Sequence, residues 1–239
     1  MDIDNDTRNI DELLTVSEIA EYLKVSERTI QRMIKAGDLP SAKISGQLRF
    51  VKAIIDDWIL AKMTTVKKSN LVDVIDTAKK VHSLVELIPV NHIVLNLKSG
   101  SVGDILRQLV SVLEQTGEIK NSEDFIRTLI QREEMMSTAV ENGIALPHPR
   151  TPEKTGIDKN LVVIGICPEG TDFNSLNGAK SYIFALLAAC DTTSHLRLMA
   201  KISYFLRTEG TVEAMKAASS ENEILTLIKN SHKNLSIEL

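Results

Sequence analysis

The residues best suited to chemistry lie in one stretch of the chain, GIALPHPR at residues 143–150. Its histidine, His148, carries an imidazole, which is a good nucleophile near neutral pH because its unperturbed pKa is about 6.5. Pro147 and Pro149 restrict the backbone on either side of it. The stretch therefore predicts a histidine that is held in place for nucleophilic chemistry.

Three side chains just upstream could serve the same chemistry. A phosphorylated imidazole requires donors for the phosphoryl oxygens. Arg132 offers a planar fork that matches phosphate geometry, and Ser137 and Thr138 add hydroxyl donors. These residues are predicted to bind phosphate. Spacing alone leaves an alternative open, in which a short apolar strand ends in a surface loop and His148 has no chemical role.

The elements that would position His148 form a mixed α/β pattern that begins at His92. Gly143 interrupts a polar segment and releases a strand at residues 144–146. Nearly continuous apolar runs predict strands that are buried on both faces, and apolar residues at spacings of three and four predict helices. The predicted strands are 92–97, 161–166 and 182–189, and the predicted helices are 101–114, one capped by Ser122, 195–206, 211–218 and 221–230. The predicted fold class is α/β, a mixed sheet flanked by helices.

The composition is that of a globular chain. It has 239 residues, 43% of them hydrophobic and 25% charged, which is enough for one large domain or two unequal ones. Cys167 and Cys190 lie in apolar runs and predict buried thiols, not a disulfide framework or a zinc site. Residues 1–11 are acidic and unlike a secretory signal, and no apolar run approaches the ~20 residues of a membrane-spanning helix. We therefore expect a cytoplasmic protein without membrane insertion.

Basic residues concentrate in one block of the chain. Residues 1–14 carry one basic and five acidic side chains. Residues 15–68 carry ten basic and six acidic side chains, and residues 69–239 carry seventeen basic and twenty-one acidic ones. A basic block beside an acidic body is typical of a small module that binds nucleic acid.

The basic block also has the pattern of a helix-turn-helix. A capping box at residues 15–18 opens one helix, and Ser26 caps a second. Residues 42–50 alternate around a Ser-Gly turn and predict a small hairpin, or wing. Apolar residues at helical spacing in 54–59 predict a third helix that covers the core.

Residues 132–148 resemble the active-site segment of enzyme IIA of the bacterial phosphotransferase system, of the fructose/mannitol and nitrogen-regulatory type. The family pattern is an Arg-Glu pair, a Ser-Thr pair and then Gly-Ile-Ala-Ile-Pro-His. In this chain the pattern stands as Arg132-Glu133, Ser137-Thr138 and GIALPH at residues 143–148. Leu146 is a conservative exchange, and the resemblance extends over roughly residues 90–232.

The resemblance implies a phosphoryl-carrier domain. The phosphorylated histidine of the family falls on His148, and its second histidine, which opens the helix after the next core strand, falls on His195. Arg132 corresponds to the family's phosphate-contacting arginine. The family receives its phosphoryl group from a small histidine-phosphorylated carrier protein and requires no metal and no cofactor.

Residues 14–50 resemble the excisionase and MerR-like winged helix-turn-helix group. The recognition helix would be about residues 27–36, a size that fits the major groove of duplex DNA. The resemblance implies that DNA is contacted from this helix by Arg28, Thr29, Arg32 and Lys35, and from the wing by Lys43 and Arg49. The alternative is a stable helical bundle whose solvated basic face binds proteins.

A mostly apolar stripe follows a predicted linker at residues 63–70 and ends before Pro89. Its members are Leu71, Val74, Ile75, Ala78, Val81, Val85 and Ile88. Spacings of three and four suit a short two-helix seam, so the stripe predicts a homodimer through residues 71–88. The alternative is a helix that lies on the carrier domain.

These patterns predict four segments: an acidic tail at 1–14, a winged helix-turn-helix DNA-binding domain at 15–62, a linker helix at 63–90 and a IIA-type phosphoryl-carrier domain at 91–232.

The expected function is a regulator in which phosphorylation of His148 modulates DNA binding. One rival is the soluble IIA component of a fructose/mannitol-type sugar transport system, in which a DNA-binding domain is hard to explain. The other is a transcription factor with an inactive carrier domain, which the intact His148, His195 and Arg132 disfavour.

Overall fold

The computed structural model describes residues 13–52, 54–55, 58–59, 83–175 and 177–237, with the backbone alone for residues 232–237. The chain divides into two compact units, an N-terminal unit (Met1–Lys62) and a C-terminal unit (Met63–Leu239). Most of the predicted acidic tail and residues 63–82 of the predicted linker lie outside the described residues.

Two capped helices begin the N-terminal unit. Helix α1 (Val16–Tyr22) opens with the predicted capping box: the Glu18 amide donates to the Thr15 hydroxyl at 3.3 Å, and the Thr15 amide donates to the Glu18 carboxylate at 2.8 Å. Helix α2 (Glu27–Lys35) begins after its predicted N-cap, Ser26. Both predicted helices are confirmed.

A small antiparallel sheet completes the N-terminal unit. Strands β2 (Ala42–Ile44) and β3 (Gln47–Val51) form the predicted hairpin, and the turn residues Ser45 and Gly46 both have positive φ, 49° and 82°. A further strand, β1 (Leu13–Leu14), pairs with the end of β3. The sequence assigned these two residues to the acidic tail, because a two-residue strand is too short to show an alternating pattern.

The third predicted helix covers the core of the N-terminal unit. Residues 54–55 and 58–59 are helical. The indole N–H of Trp58 donates to the carbonyl of Asp38, which ties this helix to the turn after α2. The fully buried apolar side chains are Ile19, Ile30, Phe50 and Ile55.

A mixed five-stranded sheet lies at the centre of the C-terminal unit, within its described residues. The strands are β4 (Ile93–Val94), β5 (Ala139–Val140), β6 (Ile144–Ala145), β7 (Leu161–Thr171) and β8 (Ser181–Ala188). Their order across the sheet is β4–β7–β8–β6–β5. β7 and β8 are antiparallel, whereas β4 is parallel to β7 and β6 is parallel to β8. The predicted mixed sheet is confirmed.

Helices cover both faces of the central strands. They are α3 (Leu84–Leu87), α4 (Val102–Gln115), α5 (Ser122–Met135), α6 (Thr192–Leu206), α7 (Thr211–Ala217) and α8 (Glu221–Ile237). α4 and α5 share an apolar cluster with alternate residues of β7 and β8, such as Val163 and Phe184. The intervening residues are also buried, and α6 and α7 contact β8. This double burial explains the continuous apolar runs. None of the described helices is long and apolar enough to cross a membrane.

Several element boundaries in the C-terminal unit differ from the prediction: α6 begins at Thr192 instead of residue 195, and β7 ends at Thr171 instead of residue 166. The expected strand 92–97 is shortened to β4 (Ile93–Val94) at its start by a 3-10 turn (Val90–His92), and beyond β4 the Leu97 amide donates to the Ile166 carbonyl of β7 at 2.8 Å. Helix α5 is capped by Asn121, whose side chain accepts from the Asp124 amide at 3.2 Å, and Ser122 is already helical. Asn and Ser are equally good caps, so adjacent candidates cannot be separated by sequence.

The predicted linker helix is interrupted near its C-terminal end. Ser83 has an extended backbone and caps α3 through a capping box with Glu86, so a single helix cannot span residues 71–88. Ile88, the last member of the apolar stripe, is fully buried within the C-terminal unit and is not accessible to a second chain. Residues 71–82 lie outside the described residues, and a dimer through them stays a prediction.

His92 is fully buried beside β7. Its Nδ1 lies 3.3 Å from the carbonyl oxygen of Val162, which can only accept, so Nδ1 carries the proton. Within the described part of the chain, its buried Nε2 has no hydrogen-bond partner. Burial lowers the pKa of His92, against the opposing effects of the Val162 carbonyl and Glu118, and Lys159 lowers it further. Burial therefore favours the neutral ring.

We expect the chain to lose stability as the pH falls below about 6.5, the usual pKa of an exposed histidine. The pKa of His92 is lower in the folded chain, so the unfolded chain binds the proton first, and stability present above this pH is lost below it. His92→Gln cannot bind this proton, so its free energy of unfolding should fall less than that of the wild type over the same pH range. Urea unfolding of both proteins at about pH 7.5 and about pH 5.5 measures it. An equal loss in the two proteins would contradict the assignment.

Candidate functional site

Parallel pairing of two strands brings distant parts of the sequence to one edge of the sheet. β6 and β8 are parallel, with Ile144 opposite Ile183. His148 follows the carboxyl end of β6, and β8 leads into α6, whose first turn carries His195. Because the carboxyl ends of parallel strands lie at the same edge, both histidines lie there.

The two histidine rings are in contact. Their centroids are 4.8 Å apart, and the ring planes are inclined by 44°. Only 3% of His148 and 4% of His195 is exposed. At this separation one small group could contact both rings. The structure thus brings the two predicted histidines together, and their chemical roles stay predictions.

The backbone fixes the orientation of the His148 ring. Nδ1 lies 2.7 Å from the carbonyl oxygen of Leu146. A carbonyl oxygen can only accept, so in the neutral ring Nδ1 carries the proton and Nε2 carries the lone pair. The neighbouring carbonyl, that of Pro147, accepts from the Leu187 amide of β8 at 2.9 Å. Of the two ring nitrogens, Nε2 is therefore the one whose lone pair suits the predicted nucleophilic role.

Two carboxylates organise the start of α6 near His195. Asp191 caps the helix by accepting from the Ser194 amide at 2.8 Å. Burial raises the pKa of Asp191, but hydrogen bonds from Ser194 and neighbouring groups outweigh it and leave that pKa lowered. Glu153 accepts from the amide and the hydroxyl of Thr192 at 2.7 and 2.6 Å. Since Glu153 lies five residues after His148, this contact ties the segment after one histidine to the helix of the other.

A buried pair of opposite charges holds the turn after α5. Arg132 Nη1 donates to the Met136 carbonyl at 2.7 Å. The adjacent Glu133 accepts from the Thr138 amide at 2.6 Å and from the Thr138 hydroxyl at 2.8 Å. Arg132 is 2% exposed and Glu133 4%. The turn is therefore fixed from two sides.

This turn runs alongside the histidine segment. Ala139 pairs with Ala145, and the Leu146 amide donates to the Thr138 carbonyl at 3.1 Å. The turn held by Arg132 and Glu133 thus leads directly into the strand that pairs with the histidine segment.

The two predicted phosphate-binding hydroxyls have other partners in this structure. Ser137 donates to the Phe173 carbonyl at 2.6 Å, and Thr138 donates to Glu133 at 2.8 Å. Each hydroxyl has one hydrogen, so either would have to release its present acceptor to bind a phosphoryl oxygen. Phosphate binding by these residues stays a prediction.

The predicted DNA-contacting residues separate into two groups. Arg28, Arg32 and Lys35 are exposed on α2, away from the buried Ile30, and Lys43 is exposed on β2. The other two have local partners: the Thr29 hydroxyl bonds with that of Ser26 at 2.9 Å, and Arg49 donates to the Leu48 carbonyl at 2.9 Å and to Gln47. The exposed group is therefore the better candidate for DNA contact.

Sequence reasoning missed the structural parts played by Glu133, Glu153 and Asp191. Asp191 was detectable, since aspartate is a preferred N-cap residue at a helix start. Glu153 and Thr192 are 39 residues apart and gave no local signal. Glu133 stands out in the sequence only as part of the family pattern.

A buried histidine pair at strand ends, in a unit joined to a helix-turn-helix, is consistent with a phosphoryl carrier, and the comparisons with known proteins define the class. Residues 13–63 match the model described as a helix-turn-helix domain. Residues 86–231 match the model described as phosphoenolpyruvate-dependent sugar phosphotransferase system, EIIA 2. This match covers more than half of the 239 residues, and the chain belongs to the EIIA 2 family. The resemblance found in the sequence is confirmed for both units.

The relatives differ greatly in length. A fructose-specific EIIABC component of the phosphotransferase system of Bacillus subtilis is 26% identical over 152 residues, which are 63% of this chain and 24% of that protein. A mannitol-specific enzyme IIA component of Staphylococcus aureus is 28% identical over 139 residues, which are 58% of this chain and 92% of that protein. The chain thus spans about a quarter of the first relative and most of the second.

Solved structures of similar fold include two proteins at 22% identity. For the nitrogen regulatory protein IIA-Ntr of Neisseria meningitidis the TM-score is 0.55, and the match covers 61% of this chain and 98% of that protein. For the mannitol IIA of Escherichia coli the TM-score is 0.53, and the match covers 59% of this chain and 97% of that protein. These similarities establish the fold of the C-terminal unit.

Sterics require glycine at position 143, just before β6. Gly143 has φ of 71°, a value that side-chain-bearing residues rarely adopt. A Cβ atom there would lie 2.9 Å from the ring of Tyr182 and 3.2 Å from the carbonyl oxygen of Lys180. Gly117 has nearly the same φ, 70°, but no described atom lies within 4 Å of its Cβ position. Only glycine therefore allows β6 to approach β8 in this way.

We expect Gly143→Ala to destabilise the chain more than Gly117→Ala. The backbone strain common to both costs about 1–3 kcal/mol. The clash with Tyr182 adds about 1–3 kcal/mol to Gly143→Ala alone. Denaturant unfolding of both variants measures the difference, for which Gly117→Ala is the matched control. Equal stabilities would show that the contact with Tyr182 does not restrict residue 143.

Proposed function

We propose that Nε2 of His148 accepts a phosphoryl group from a histidine-phosphorylated carrier protein, and that this modification regulates DNA binding by the N-terminal unit. The observation that carries the proposal is the position of the buried His148 ring. Its Nδ1 proton is hydrogen-bonded to the Leu146 carbonyl, and its centroid lies 4.8 Å from that of the His195 ring. Such a ring is oriented before any donor arrives. The setting that fits this chemistry is the cytoplasm.

The transfer step is a nucleophilic substitution at phosphorus. The Nε2 lone pair of His148 forms the new P–N bond, the P–N bond to the donor histidine breaks, and the donor nitrogen recovers its lone pair. No proton leaves His148. The product ring is cationic, so its Nδ1–H bond to the Leu146 carbonyl becomes charge-assisted and stronger.

The phosphoryl oxygens require compensating groups. His195, with its ring 4.8 Å from that of His148, supplies the nearest donor. Arg132 compensates the charge of about −1.5 to −2 that the phosphoryl group adds. Ser137 and Thr138 add hydroxyl donors once they exchange their present acceptors. None of these steps requires a metal or a cofactor.

The N-terminal unit supplies the DNA-binding half of the proposal. Arg28, Arg32 and Lys35 form an exposed basic face on α2, and Lys43 lies on the hairpin. A recognition helix of this kind places such side chains against phosphates and base edges. Dimers that read two half-sites are common among these proteins, which is the reason to retain self-association through residues 71–82 as part of the proposal.

A second candidate function is that of a soluble IIA component of a fructose- or mannitol-type transport system. The names of the Bacillus subtilis and Staphylococcus aureus relatives favour it. The helix-turn-helix match at residues 13–63 favours the regulator, because transport alone gives no reason for it. In the transport alternative the phosphoryl group is passed on to a separate protein, and DNA binding is absent.

His148→Ala should abolish labelling when the chain is incubated with a phosphorylated carrier protein. The wild type should gain one acid-labile phosphoryl group, because Nε2 of His148 is the nucleophile. His195→Ala should still be labelled, but more slowly, since it lacks a donor to the phosphoryl oxygens. Intact mass before and after acid treatment measures the label. Full labelling of His148→Ala would rule out the assignment.

The full chain should bind duplex DNA with an affinity that falls steeply as salt rises, because phosphate contacts release counterions. Arg32→Ala should weaken binding and reduce the salt slope by about one. Arg127→Ala, an exposed arginine of the C-terminal unit, is the matched control and should bind as the wild type does. Fluorescence anisotropy on genomic duplexes at several salt concentrations measures both.

The same assay tests regulation. Treatment with the phosphorylated carrier should change the apparent Kd of the wild type and leave that of His148→Ala unchanged. A chain that is labelled on His148 but binds no DNA at low salt would support the transport component instead.

A further inference from the structure

The His148 ring is held by a chain of hydrogen bonds that begins at a buried carboxylate. Nδ1 of His148 donates to the Leu146 carbonyl at 2.7 Å, and the Leu146 amide donates to the Thr138 carbonyl at 3.1 Å. The Thr138 amide and hydroxyl donate to Glu133 at 2.6 and 2.8 Å. Each residue in this chain therefore depends on the one before it for its position.

We infer that Glu133 is a positioning residue for phosphoryl transfer, which acts through Thr138 and Leu146 to keep the proton of His148 on Nδ1 and the lone pair on Nε2. This inference rests on the proposed phosphorylation of His148. Glu133 itself contacts neither the nucleophile nor the phosphoryl group.

The chemistry of this position calls for two acceptors. Thr138 presents an amide proton and a hydroxyl proton to the same side chain, and both oxygens of an ionised carboxylate can accept. Thr138 is 1% exposed, and a buried amide left unpaired costs about 1–3 kcal/mol. Removing Glu133 therefore favours movement of the Thr138 segment, and the Leu146 carbonyl moves with it.

The neighbouring arginine supports the ionised form of Glu133. Burial leaves the pKa of Glu133 raised above its usual value, and the hydrogen bonds from Thr138 and the charge of Arg132 oppose this and favour the carboxylate. Arg132 binds the Met136 carbonyl two residues before Thr138. The two adjacent side chains thus hold opposite ends of one short turn.

Three variants separate this role from general stability. Glu133→Ala removes both acceptors. Glu133→Gln retains the shape, because its amide oxygen can accept from the Thr138 amide while its NH₂ donates to the Thr138 hydroxyl oxygen. Glu134→Ala removes an exposed carboxylate from the next position on α5 and is the matched control.

The first measurement is the tautomer of His148, read from ring ¹⁵N shifts and long-range couplings in histidine-labelled full-length chain. Wild type, Glu134→Ala and Glu133→Gln should show the proton on Nδ1. Glu133→Ala should show a mixture with the Nε2–H tautomer. A folded Glu133→Ala with the wild-type tautomer would overturn the inference, because a purely structural role would leave the ring unchanged.

The second measurement is the rate of transfer from a phosphorylated carrier protein as a function of donor concentration. Glu133→Ala should lower the saturating rate on the order of 10- to 100-fold, as expected for a misplaced reacting group, and leave the half-saturating concentration unchanged. Glu133→Gln and Glu134→Ala should stay within a few-fold of the wild type. A wild-type saturating rate in Glu133→Ala would also overturn the inference.

Two less disruptive variants at Thr138 cover the case in which Glu133→Ala does not fold. Thr138→Val removes the hydroxyl donor, and Thr138→Ser keeps it. The valine variant should show more of the Nε2–H tautomer of His148 than the serine variant, and equal tautomer populations would overturn the inference. The tautomer measurement needs no donor protein. A wild type that shows the Nδ1–H tautomer but accepts no phosphoryl group would therefore contradict the proposed function and leave the hydrogen-bond chain in place.

Discussion

The parallel pairing of β6 with β8 is the constraint on which the site depends. The ladder is short, with only Ile144 and Ala145 paired, so it gains most of its stability from the buried antiparallel pair of β7 and β8 beside it. Gly143 permits the close approach to Tyr182, and the Pro147 carbonyl extends the contact to β8. Without this pairing the two histidines would belong to unrelated parts of the chain. The long apolar strands thus matter for chemistry because they fix the edge at which the chemistry would occur.

Around that edge three buried polar side chains are bonded to the protein before any ligand is present. Arg132, Glu133 and Thr138 all bond within one turn. In an apolar surrounding an unpaired polar group is costly, so each of these bonds restricts where its partner can lie. Donors that are already oriented need little reorganisation when a charged group arrives, which is the physical advantage of a site of this kind. This restriction is also the physical basis for the inference that Glu133, three hydrogen bonds away, positions the His148 ring.

Much of the fold was predictable because its signals are local. The capping box at residues 15–18 and the hairpin at 42–50 were predicted from a few adjacent residues, and the central strands from their apolar runs. Errors occurred where local signals were ambiguous or absent. Asn121 and Ser122 are both competent caps, and the two residues of β1 show no pattern of their own. The apolar stripe before Pro89 shows the same limit, since spacing could not reveal that Ile88 packs inside the C-terminal unit.

The sequence by itself determined the residue types of the site, the motif around His148 and the membership of both units in their families, because these depend on identity and spacing. The tertiary structure decided which of those residues meet. It brought His195 to His148 across 47 positions, bonded Glu153 to Thr192 and directed the Ser137 and Thr138 hydroxyls toward the Phe173 carbonyl and Glu133. Contacts of this range depend on how strands are ordered in the sheet and on which acceptor lies closest once water is excluded, and neither is encoded in a short stretch of the chain.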